Sequence, residues 1–121
     1  MAEEILRKVD LDWLLSIYGS LLTEKQRILA AQYYEEDLSL AEIAEQTGVS
    51  RQSVHETLRR VESQLRAWEE KLGMRRRLTQ VEGTLTEALR LLPEETGTQA
   101  ARAEIEKALR LLTDEEERNG L

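Results

Sequence analysis

The stretch Ser39-Leu40-Ala41-Glu42-Ile43-Ala44-Glu45-Gln46-Thr47-Gly48-Val49-Ser50-Arg51-Gln52-Ser53-Val54 decides the fold. Ser39, three residues before Glu42, forms a capping box: the serine hydroxyl accepts from an orphan amide of the first turn, and the glutamate reaches back to the serine amide. A short helix opens there and runs to about Thr47. Gly48 stops it, because the turn calls for a left-handed residue and glycine adopts that conformation at little cost. Ser50 caps the next helix, with Arg51 and Gln52 in its first turn. Ala44 is small enough for two helices to cross closely, and Ile43, Val49 and Val54 fill the space between them. These constraints agree on a helix-turn-helix over residues 40–58. The same residues would equally make a tight helical corner with no ligand, so the decision passes to the side chains the second helix displays.

Working outward, the N-terminal segment carries Ile5, Leu6, Val9, Trp13, Leu14, Ile17 and Tyr18 at helical spacing, predicting an amphipathic helix that ends near Gly19. Thr23-Glu24-Lys25-Gln26 is a second capping box. It opens a helix with Ile28, Leu29 and Gln32 or Tyr33 on its inner face, and the polar run Glu35-Glu36-Asp37 breaks it. On the other side, Val54, Leu58, Val61, Leu65, Trp68 and Leu72 are spaced 4, 3, 4, 3, 4, a heptad-like seam along one long helix. The seam changes phase at Gly73 and resumes as Met74, Leu78, Val81, Leu85, Ala88 or Leu89, and Leu92. Pro93 ends it. Ala88-Leu89-Arg90-Leu91-Leu92 recurs as Ala108-Leu109-Arg110-Leu111-Leu112, and a turn over 94–98 between the copies predicts an αα-hairpin. Asp114 to Leu121 is expected to fray. The expected fold is all-α: a helix-turn-helix domain with its long helix over 1–72, and a helical extension over 73–121.

Composition limits the chemistry. The chain has 121 residues, no cysteine and one histidine, His55, so disulfides, thiol nucleophiles and Cys- or multi-His metal sites are excluded. Six scattered glycines make no phosphate-cradling loop, and the carboxylates read as solvated helix faces. No catalytic residue, metal site or cofactor is therefore expected, and the chain is not expected to be an enzyme. No apolar run approaches the roughly 20 residues of a membrane span, and Met-Ala-Glu-Glu lacks the layout of a signal peptide. A cytoplasmic protein is expected.

The net charge of −7 argues against nucleic acid, but its distribution does not. Residues 1–50 hold 4 basic and 10 acidic side chains and residues 79–121 hold 5 and 10, whereas residues 51–78 hold 8 basic against 4 acidic. One basic segment in an acidic chain can present a local phosphate-binding surface. The candidate residues are Ser50, Arg51, Gln52 and His55 at the start of the second helix, where side chains of this motif reach base edges. Arginine forks onto guanine and glutamine pairs with adenine. Arg59 and Arg60 follow a turn or two later, suited to phosphates. Glu56 opposes phosphate unless it accepts from a cytosine amino group or pairs with Arg60. Arg75, Arg76 and Arg77 could add phosphate contacts, although as a helix they spread around the axis. Each arginine taken alone is equally a solvated helix face, and Trp68 on the seam reads as core or interface rather than a stacking platform.

At this point a family resemblance enters. Tyr18-Gly19-Ser20-Leu21-Leu22-Thr23-Glu24-Lys25-Gln26, Tyr33-Tyr34, Asp37 to Glu45, Ser50-Arg51-Gln52-Ser53-Val54 and Glu69-Glu70-Lys71-Leu72 together resemble the YlxM family of small helix-turn-helix proteins. The resemblance covers about residues 5–92. It implies a fold similar to region 4 of bacterial sigma factors and a role in the signal recognition particle pathway. Glu56, Leu58 and Trp68 stand where the family pattern has Asp, Ile and Tyr, which are conservative departures. The hairpin from Pro93 to Leu112 lies outside the resemblance.

Three functions follow. The first is a nucleic-acid-binding accessory protein of that pathway, with the particle RNA or duplex DNA as ligand. The second is an interaction module that docks on the particle's GTPase. The third, by fold analogy alone, is a DNA-binding transcription regulator. The seam from Val54 to Leu92 is longer than one small core covers, so a homodimer or the folded-back hairpin is expected to cover it.

Overall fold

The structure, a computed structural model, describes residues 2–113. The segment Asp114 to Leu121, expected to fray, lies outside the described residues. The described chain is helical throughout: α1 (Ala2–Tyr18), α2 (Glu24–Ala30), α3 (Leu40–Thr47), α4 (Arg51–Leu72), α5 (Met74–Leu91) and α6 (Gln99–Thr113). Two compact units divide it, one up to Gly73 and one from Met74 onward.

In the first unit α4 is the central strut, and α1, α2 and α3 all pack on it. Its 4-3 spacing explains why: Val54, Leu58, Val61 and Leu65 fall on one stripe and are all buried. They meet Leu11, Leu14, Leu15 and Tyr18 of α1, Leu29 and Ala30 of α2 and Ile43 of α3 in a single core. Burying each large aliphatic side chain contributes about 1.5–3 kcal/mol. The N-terminal half of the seam is thus covered inside the chain. Trp68 joins its edge, 6.3 Å from the Tyr18 ring, while Leu72 is 49% exposed.

Two expectations about inner faces need correction. Helix α1 buries Leu11, Leu14, Leu15 and Tyr18, whereas Ile5, Leu6 and Val9 are each more than 60% exposed. The helix carries apolar residues on two opposite faces, and helical spacing alone does not say which one meets α4. In α2 the buried pair is Leu29 and Ala30, and Ile28 is exposed.

The caps form as read. Thr23 and Ser39 accept from the Gln26 and Glu42 amides, with both return bonds made. Gly48 adopts φ 73° and its amide bonds to the Ala44 carbonyl, while Ser50 accepts from the Ser53 amide. After α2 the helix widens into one π-type turn, Ala31–Glu35, in which the Glu36 amide reaches back five residues to the Ala31 carbonyl at 3.0 Å. Asp37 at φ 57° then reverses the chain into α3.

Gly73, at φ 62°, terminates α4 and bonds to the Glu69 carbonyl. In the second unit α5 packs on α6 as an αα-hairpin. Leu78, Leu85, Ala88, Leu89 and Leu92 are half-buried there, and Val81 and Leu91 stay exposed. Pro93 follows the end of α5, and Thr98 caps the turn by donating to the Pro93 carbonyl at 2.7 Å.

Candidate nucleic-acid interface

Helix α4 divides its residues cleanly. Val54, Leu58 and Val61 point into the core, and that rotation leaves Gln52, His55, Arg59 and Arg60 exposed, while Arg51 is exposed at the helix start. Ser50 sits at the N-cap, so the first turn is anchored at the end where a helix-turn-helix approaches nucleic acid. The N-terminal part of the site is therefore brought together on one element, with its frame fixed by Ile43 and Val54, each fully buried. Glu56 lies on the rim of an open groove of about 540 Å³ with Gln26, Arg59 and Arg60. Arg75, Arg76 and Arg77 are carried by α5 in the second unit, with Arg75 half-buried and the other two exposed. Trp68 packs on the core of the first unit.

Charge pairs set the posture of α4 against α1. Arg7 donates through Nε to Glu62 Oε1 at 2.7 Å and through Nη2 to Glu62 Oε2. Arg66 reaches Asp10 at 3.4 Å, and Tyr18 donates to Glu69 at 2.7 Å. The bond from Arg7 holds the Glu62 carboxyl below the usual glutamate range, against the opposing effect of partial burial.

A cavity of about 260 Å³ with a mixed apolar and polar lining opens beside the exposed face of α4 and was not foreseen from the sequence. Its base is Leu11, Leu40 and Leu58, and Tyr33 and Tyr34 form one wall. The tyrosines pack edge to face at 5.0 Å. The Lys8 ammonium lies 4.1 Å from the Tyr33 ring centre and donates to Asp37 at 2.8 Å. Burial, and then the nearby Glu62 charge, push the Tyr34 phenol up to about 12. His55 and Arg59 also line the cavity, so two residues of the exposed face of α4 belong to it. The doublet Tyr33-Tyr34 was the available signal. The π-type turn hid its meaning, because it rotates both rings out of the register that a regular helix would give.

Among the described residues no cluster of three or more His, Cys, Asp or Glu could hold a metal ion. No described helix is long and apolar enough to cross a membrane.

Comparison with known proteins agrees with this architecture. Residues 5–105 match the family UPF0122, described as "Putative helix-turn-helix protein, YlxM / p13 like". A UPF0122 protein of Desulforamulus reducens is 53% identical over 75 residues, covering 62% of this chain and 64% of that protein. One of Clostridium botulinum is 49% identical over 67 residues, covering 55% of this chain and 62% of that protein. Both alignments thus span less than two thirds of the relative's length. A UPF0122 protein of Shouchella clausii is 36% identical over 101 residues, covering 84% of this chain and 93% of that protein. No solved structure matches the chain. With the family pattern matched over most of its length, the chain belongs to the UPF0122 family of YlxM/p13-like helix-turn-helix proteins.

Proposed function

We propose that this chain is a nucleic-acid-binding accessory protein of the signal recognition particle pathway, and that it presents Ser50 to Arg60 to its ligand. The observation that carries this reading is the exposed cationic and amide face of α4, with Arg51, Gln52, His55, Arg59 and Arg60 displayed from a capped helix start over a packed core. The pathway assignment rests on the resemblance to the YlxM family. Arg75, Arg76 and Arg77 add phosphate contacts in this reading. Because the whole chain carries −7, affinity depends on specific contacts more than on the long-range field. Fluorescence anisotropy of labelled particle RNA against an unrelated duplex, at two salt concentrations, is the test. Tight binding of the RNA with a weak competitor supports the reading, and equal, salt-labile weakness for both removes it.

A second reading has one observation in its favour. Ile5, Leu6 and Val9 form an exposed apolar face on α1, as expected of a module that docks on the particle's GTPase. Capture of that GTPase after nuclease treatment, lost in Leu6→Asp, supports docking. A homodimer belongs to the first reading, supported by the uncovered seam residues Leu72 and Val81, which are 49% and 47% exposed. Equilibrium sedimentation at micromolar concentration giving 14.0 kDa removes the dimer.

A further inference from the structure

The cavity next to α4 has a composition that neither a helical corner nor a groove-reading helix requires. Its base is apolar: Leu11 and Leu58 are 1% and 5% exposed. Its wall is the Tyr33–Tyr34 pair, and the Glu62 carboxylate lies at its edge. Arg7 donates to both oxygens of that carboxylate and the Arg66 guanidinium lies 4.0 Å from Oε1; with two lone pairs on each oxygen, acceptor capacity remains. His55 and Arg59, which also belong to the exposed face of α4, line the same cavity.

Resting on the nucleic-acid reading above, we propose that this cavity receives one unstacked nucleotide of the bound nucleic acid. The base lies on the leucine floor against the tyrosine wall, and its phosphate is held at the mouth by Arg59 and His55. Glu62 accepts from a base amino or ring N–H group, and the protonated Tyr34 hydroxyl offers both a donor and an acceptor.

Three features support this assignment. The volume, about 260 Å³, lies just below the roughly 300–1,000 Å³ of pockets for drug-sized ligands, so it suits a group the size of one nucleotide. The mixture of leucines, two tyrosines, the carboxylates Glu4 and Glu62 and the cations Arg7, Lys8 and Arg59 suits a planar base with an anionic tail, whereas a free anion would leave the leucines unused. Because His55 and Arg59 are shared, a strand that lies along α4 passes the mouth of the cavity. An unbroken duplex keeps its bases stacked and cannot fill the site. A bulge or loop can, at a smaller unstacking cost. The inference therefore favours a ligand with an unpaired nucleotide, which is the form in which RNA is read by sequence.

The test uses the full chain and two RNA hairpins with identical stems, one with a single bulged 2-aminopurine and one without the bulge. The bulged hairpin is expected to bind about tenfold tighter or more, the scale of one base held against aromatic side chains. Its 2-aminopurine fluorescence should change on binding. Glu4→Trp places an indole at the cavity mouth from an exposed position on α1. It should abolish the preference and leave binding of the unbulged hairpin unchanged, with unaltered helicity showing that the variant folds. Arg51→Glu, outside the cavity, should weaken both hairpins alike. Equal affinity for the two hairpins, with Arg51→Glu still weakening both, overturns the cavity proposal and leaves the interface reading intact. Binding of neither hairpin, or binding indifferent to Arg51→Glu, overturns both. A bulge preference that survives Glu4→Trp overturns the cavity proposal alone.

Discussion

The Arg7 guanidinium donates to both carboxylate oxygens of Glu62, a residue 55 positions further along the chain. This side-on pair joins α1 to the middle of α4, beside the core stripe. Arg66, one turn after Glu62, completes the link by reaching Asp10 at 3.4 Å. The pairing has consequences for stability and for pH.

Arg7→Ala is expected to lower unfolding free energy by at most about 1 kcal/mol, since Arg7 is largely exposed and surface pairs are screened. The pH dependence follows from Glu62. Its folded-state value lies below the ordinary 4.5, so its contribution is fully present above about pH 4.5 and is lost as the pH falls through the depressed value. Urea unfolding between pH 6 and pH 3 should show a shallower acid loss in Glu62→Gln than in the parent. An unchanged slope would mean the pair does not couple to folding.

Gly48 holds φ 73°, and a Cβ added there would meet nothing within 4 Å. The cost of Gly48→Ala is therefore conformational, about 1–2 kcal/mol for an L-residue held left-handed. Chemical denaturation measures it. A loss near zero would mean that the turn between α3 and α4 relaxes.

Tyr34 should ionise at about 12, because burial and the Glu62 charge oppose the phenolate. An ultraviolet titration should contain a component near that pH, and Tyr34→Phe should remove it. The sign is that of a proton held more tightly when folded, so the related stability is lost as pH rises through the folded value.

The two faces of α1 should respond differently to substitution. Leu14→Ala, at a site only 2% exposed, is expected to cost about 2–5 kcal/mol. Val9→Ser, at a position 63% exposed, should move stability by no more than about 0.5 kcal/mol. Thermal denaturation of both variants decides whether α1 packs through Leu11, Leu14 and Leu15.

On α4 the arginines should differ in kind. Arg51→Ala, at the first turn, is expected to cost about 1–3 kcal/mol and to relax sequence preference. Arg60→Ala should weaken all sequences alike and flatten the salt dependence by about one unit of slope. Competition binding at several salt concentrations separates the two effects.

Much of this was legible in the residues. Ser39 with Glu42, Thr23 with Gln26, Gly48 and Ser50 each act through bonds to backbone a few positions away, so their meaning is local and survives without a fold. The exposed face of α4 was legible for a related reason. Once Val54, Leu58 and Val61 are committed inward, helical geometry places Gln52, His55 and Arg59 off the buried stripe, while Arg51 is exposed because it opens the helix.

What stayed hidden depended on contacts distant in sequence. Nothing in Ile5, Leu6 and Val9 distinguishes them from Leu11, Leu14 and Leu15 until α4 takes one side of the helix. No local pattern joins Arg7 to Glu62, or Tyr34 to His55, because each pair is created by the packing of α1 and the widened turn after α2 on α4. The sequence by itself therefore determined the helices, their caps and the turn, through interactions that span a few residues. Only the tertiary structure decided which apolar face became core and where a cavity remained, because both depend on how separate helices share one limited buried surface.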